Sequence, residues 1–85
     1  MDEKIVKVIW SDSVCSNEWM KKEDSKKLIL PQCITIGFLH SSSDTEIEIV
    51  ACKSTTANAI SSVWKIPKGA ILSMEELEVK NVTNS

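Results

Sequence analysis

The chain has no arginine and no tyrosine, and it has a single histidine, His40, and a single phenylalanine, Phe38. Arginine carries the planar fork that matches phosphates and guanine edges. Its absence, with a formal net charge of −2, disfavours a dedicated nucleic-acid binder and leaves room only for one built on a local lysine patch. Without tyrosine there is no aromatic paving for a polyproline groove. The three cysteines, Cys15, Cys33 and Cys52, are widely spaced and form no C-x-x-C pair. A structural zinc site needs four Cys or His ligands, usually in close pairs, so neither a metal nor a cofactor is expected. The cysteines read as free thiols of a reducing compartment.

Long apolar runs are also missing. None approaches the ~20 residues of a membrane span, and Met1-Asp2-Glu3-Lys4 leads into an alternating segment rather than a signal peptide. A soluble, intracellular protein without membrane contacts is expected. The two glycines, Gly37 and Gly69, stand alone, so there is no glycine-rich phosphate loop. An enzyme would need a nucleophile, a base and a group to orient them. Cys15 with His40 is the one conceivable dyad, and the carboxylate pairs Glu46/Glu48 and Glu75/Glu76 read as solvated strand and surface positions. A non-enzymatic protein is expected.

What is present is two-residue alternation. The 85 residues suit one domain, residues 1–80, followed by a polar tail at 81–85. Residues 4–10, KIVKVIW, place Val6, Val8 and Trp10 on one face of a strand. A long excursion follows, either a loop or a short helix capped by Ser16 or Asn17. It is expected to be pinned to the core by Trp19 at one end and by Leu28-Ile29-Leu30 at the other, with Pro31 closing it. CITIGFLH (33–40) and TEIEIVACKS (45–54) predict a hairpin with Ile47, Ile49 and Ala51 facing inward. Gly37 marks a bend or a close approach of another backbone. AISSVWKI (59–66) predicts a fourth strand, with Ile60, Trp64 and Ile66 on a common face. AILSMEELEV (70–79) predicts a fifth, with a short turn at Met74–Leu77. This spacing predicts an all-β fold, a small five-stranded barrel.

In Ile66-Pro67-Lys68-Gly69-Ala70-Ile71, proline ends one strand and glycine frees the chain to turn. One 3₁₀ turn is predicted there, with Ile66 and Ile71 both pointing into the core. The corner resembles that of SH3-like and Sm-like small barrels, which place a short 3₁₀ turn between their fourth and fifth strands. The long excursion after the first strand is similar to the SH3 arrangement. Lys68-Gly69-Ala70-Ile71 is similar to the Lys-His-Ala-Ile segment of bacterial Sm-like RNA chaperones. That resemblance implies a phosphate or base contact for Lys68, while Gly69 stands where the family's histidine helps to grip uridine.

Most of the chain, from Trp10-Ser11-Asp12-Ser13 through Trp19, Cys33–Leu39 and Ile66–Ile71, resembles short uncharacterised proteins of bacteriophages and prophages. The resemblance implies an origin in a mobile element, a working place in the bacterial host cytoplasm, and no defined activity.

Three tryptophans are many for this length. Trp10, Trp19 and Trp64 either fill a small core or line a pocket or interface as anchors. Trp19 is the one expected at the surface. Asp12 and Ser13, at the end of the first strand, either bond a ligand or cap the excursion. The expected binding residues are therefore Trp19, Trp64, Lys65, Lys68, Asp12 and Ser13. Three functions are expected from them. The first is a phage accessory protein, a homo-oligomer that occupies a host protein or sequesters a signalling nucleotide as counter-defence. The second is a barrel binding RNA or single strands through Lys53, Lys65 and Lys68 beside Trp64. The third is a structural part of a phage particle.

Overall fold

The computed structural model describes residues 3–82. It is mainly β, with five strands: β1 (Ile5–Ser11), β2 (Gln32–Ser42), β3 (Glu46–Ser54), β4 (Ala59–Pro67) and β5 (Ile71–Leu77). Short 3₁₀ turns lie at Lys22–Lys27 and Lys68–Ala70. All strands belong to one antiparallel sheet in the order β4-β3-β2-β1-β5. β4 and β5 are its two edges and do not pair with each other, so the sheet is not closed.

The sheet is nevertheless strongly wrapped, and the registers require it. β1 puts Trp10 opposite Cys33 near the start of β2, whereas β3 puts Ile47 opposite Ser42 at its end. Those two β2 positions would lie about 30 Å apart along an unbent strand. On the outer strands, Ile71 lies opposite Trp10 and Ile66 opposite Ile47. Yet the chain from Ile66 to Ile71 spans at most ~18 Å even when extended. A flat sheet cannot satisfy both conditions, so β2 bends.

Gly37 is where it bends. A Cβ built there would sit 2.6 Å from the Val50 carbonyl oxygen and 2.8 Å from Ile49 Cγ2. Up to Phe38 the strand pairs with β1, and from Phe38 onward it also pairs with β3. A register shift between Leu39 and Ser41 adds further twist.

The concave face holds the core: Val6 and Val8 of β1, Ile47 and Ile49 of β3, and Ile66 of β4, with Trp10, Leu39 and Ile71 packed against them. Ile66 and Ile71 thus flank the corner and both contribute, as the sequence predicts. On the opposite face, Leu77, Ile5, Phe38, Val50 and Val63 lie directly opposite one another across all five strands. A slip of one residue in any strand would break this row.

Of the two forms open to the excursion, the structure has the loop, with a 3₁₀ turn at Lys22–Lys27 and no helix starting at Ser16 or Asn17. The Ser25 hydroxyl donates to the Lys22 carbonyl and Lys27 pairs with Asp24, so local polar bonds organise a segment with no apolar face to dock. Three expectations need correction. The excursion is not pinned to the core: Trp19, Leu28, Ile29 and Leu30 are all exposed. Ala51 is exposed rather than inward, because Ser62, between the Val50–Val63 and Cys52–Ser61 pairs, takes a φ of 56° and kinks the ribbon away from the core. Finally, Met74–Leu77 remains strand. Residues 78–82 have no regular structure, and the rest of the polar tail lies outside the described residues.

The radius of gyration is 17.4 Å and the longest dimension 58 Å, against about 12 Å for the gyration radius of a compact domain of this length. The excursion and the outer half of the β3–β4 ribbon, exposed throughout, stand away from a small core.

Overpacking at the bend should cost about 1–3 kcal/mol. Gly37→Ala should therefore lower the urea midpoint clearly, because the Val50 backbone must move. Gly69→Ala should leave it nearly unchanged, since nothing lies within 4 Å of a Cβ there. Equal effects of the two substitutions in urea titrations would contradict this account of the bend.

Candidate functional site

The excursion between β1 and β2 is closed at its base by one backbone bond, from the Asp12 N–H to the Pro31 carbonyl at 2.9 Å. The Asp12 carboxylate accepts a bond from the Ser13 N–H at 2.8 Å. Both bonds lie at the point where the chain leaves β1. Beyond the base, Trp19 is fully exposed, and Met20, Lys21 and Lys22 beside it face water. Cys15 lies on the same loop, its thiol directed at Asn17 Oδ1 at 3.5 Å. No hydrogen bond joins it to His40.

Trp64 is placed elsewhere. It lies opposite Ile49 on the concave face and packs its ring against Trp10 at 6.2 Å between centroids, tilted by 57°. Trp10 is anchored by its indole N–H, which donates to Thr35 Oγ1 at 3.0 Å. Trp64 remains 48 % exposed, so the pair forms one side of the core and presents an edge at its rim. Lys65 alternates to the other face, opposite Glu48, and Trp64 and Lys65 do not converge on one ligand. Lys68 sits in the corner turn, its backbone N–H bonded to the Thr45 carbonyl at 2.8 Å and its side chain exposed. The structure thus separates the expected binding residues into an excursion group (Asp12, Ser13, Trp19), a core-rim residue (Trp64), and two lysines on other surfaces.

A cluster that the sequence did not suggest forms around Glu3. Its carboxylate accepts a hydrogen bond from Lys53 and lies 3.8 Å from His40 Nδ1. The Lys53 ammonium also stands 5.4 Å from the centre of the Phe38 ring, within cation–π range. Lys53 is fifty residues from Glu3 in sequence, and no local pattern marks the pair. The cluster ties the N-terminal segment to the β3–β4 ribbon and engages one of the three lysines nominated for nucleic acid. Among the described residues there is no enclosed cavity and no group of three or more His, Cys, Asp or Glu side chains placed to hold a metal. No helix is long and apolar enough to cross a membrane.

No family model, no curated protein and no solved structure matches the chain.

Hydrogen bonding from Lys53, with its charge and that of His40 nearby, holds the Glu3 carboxyl below its ordinary value, outweighing the opposing effect of desolvation. A carboxylate with a depressed folded-state pKa stabilises the fold above its unfolded value, near 4.3, and loses that contribution as the pH falls through the folded value. Thermal melts between pH 7 and pH 3 should therefore show a decline in acid that is shallower in Glu3→Gln. Parallel pH profiles for the two proteins would remove Glu3 from the stability balance.

Proposed function

We propose that the protein is a non-enzymatic binding module of phage type. It uses a wrapped, SH3-like or Sm-like small-barrel scaffold to present the excursion between β1 and β2 to a host protein. The observation that carries this reading is the fully exposed Trp19 on a loop fastened at its base by Asp12 and Pro31. An indole left in water buries a large area once it meets a pocket, which is why tryptophan dominates the energetics of interfaces. Loops held by a rigid scaffold are where such contacts are usually carried. Glu18, Lys21, Lys22 and Glu23 flank it in sequence, so the partner surface that fits is an apolar pocket with a rim of mixed charge. Occupying a host factor in this way is a route to counter-defence that needs no catalysis.

The strand order, the 3₁₀ corner at Lys68–Ala70 and the long excursion after β1 support the small-barrel assignment. Capture of a signalling nucleotide receives less support, because Trp64 and Lys65 face opposite sides of the sheet. The nucleic-acid reading weakens for the same reason and because Lys53 is engaged by Glu3.

Trp19→Ala should leave the circular-dichroism spectrum and melting temperature unchanged, since the ring touches none of the core. It should weaken binding to a host protein co-purified from infected cells by at least tenfold in titration, in keeping with a hot-spot truncation. Equal binding by the variant would remove the excursion as the recognition element. Thermal stabilisation by cyclic or adenine nucleotides would instead favour the small-ligand function.

A further inference from the structure

The stretch Leu28–Leu39, LILPQCITIGFL, lies within the longest run of the chain without Asp, Glu, Lys or Arg, residues 28–43, and much of it is exposed. Leu28, Ile29, Leu30, Ile34 and Ile36 all face solvent, Ile34 at 61 % and Ile36 at 55 %. Its strand portion is also an open edge. β2 pairs with β1 from Gln32 to Phe38, but β3 joins it only from Phe38 onward. Because β3 leaves at Val50, residues 32–37 present unpaired backbone groups along one side. Free edges of soluble proteins are normally blunted by lysine, proline or a bulge within the strand. Here the bulge lies beyond Phe38 and the proline precedes the strand, so the open part carries none of these.

We propose that this edge is the interface through which two copies of the chain associate, β2 against β2, antiparallel about a two-fold axis at Thr35. The occupant is argued from self-complementarity. Around Thr35 the sequence reads Ile-Thr-Ile, so the axis sets Ile34 of one copy opposite Ile36 of the other at two symmetric places, and Thr35 opposite Thr35. No charge from Gln32 to Phe38 is brought against its like. The other two edges are blunted by charge or proline, β5 by Glu75 and Glu76 and β4 by Lys65 and Pro67. Leu28, Ile29 and Leu30 enter this edge directly and extend the apolar area beyond the two isoleucines. A two-fold contact closes after two copies, as an isologous interface must. One partner of the binding module is then its own second copy, while the excursion tip at Trp19 stays outside the contact.

Sedimentation velocity of the full chain across a concentration series tests the proposal. The native protein should be a dimer that dissociates on dilution. I34K/I36K sets lysine against lysine at both symmetric places and should weaken the dimer at least tenfold. I34K/I36E sets lysine against glutamate at the same places and should restore much of the loss. Both positions face solvent in the single chain, and circular dichroism checks that each variant keeps the fold. Amide exchange of the native protein should in addition slow at residues 32–37 as concentration rises. A native chain that stays monomeric overturns the interface, as does a dimer indifferent to I34K/I36K. Equal weakening by I34K/I36E overturns the register about Thr35. Neither result touches the role of Trp19, which Trp19→Ala reports separately.

Discussion

The corner from Pro67 to Ile71 constrains everything else in this structure. It joins the two outermost strands of a five-stranded sheet through a single 3₁₀ turn. A connection that short between opposite edges is possible only if the sheet rolls up, and the roll turns one face into a concavity deep enough to bury Val8, Ile49 and Ile66 completely. Gly37 makes the roll possible, because the Val50 backbone occupies the space a side chain would need. Core, bend and corner are therefore one feature described from three places.

The core obtained in this way is small. Among the described residues five buried side chains form it, and short chains have little stability to spare. The structure compensates with ties at its margins: the apolar row across all five strands on the convex face, the Trp10–Trp64 pair, and the Glu3–Lys53 contact that fastens the ribbon. What stays outside these ties is the excursion and the uncharged edge of β2, the two places where a partner has most to cover.

Strand positions were legible because each strand contributes to a half-buried surface, and half-burial imprints a period of two. The ends of β4 and the corner turn were readable to within a residue, since Pro67 acts locally by fixing φ and removing a ladder donor. The excursion was misjudged for the complementary reason. Leu28-Ile29-Leu30 is apolar, and apolarity alone predicts burial, but whether a core surface lies within reach depends on how the sheet rolls. Ala51 follows the period and is still exposed, because the left-handed Ser62 across the ribbon interrupts it.

By itself the sequence determined the five strands and the turn chemistry between them, since propensity and alternation act over a few residues at a time. Only the tertiary structure decided that Glu3 finds Lys53, and that half of β2 is left without a partner strand on one side. Those outcomes depend on register and curvature, which arise when strands distant in sequence must satisfy one short covalent link together.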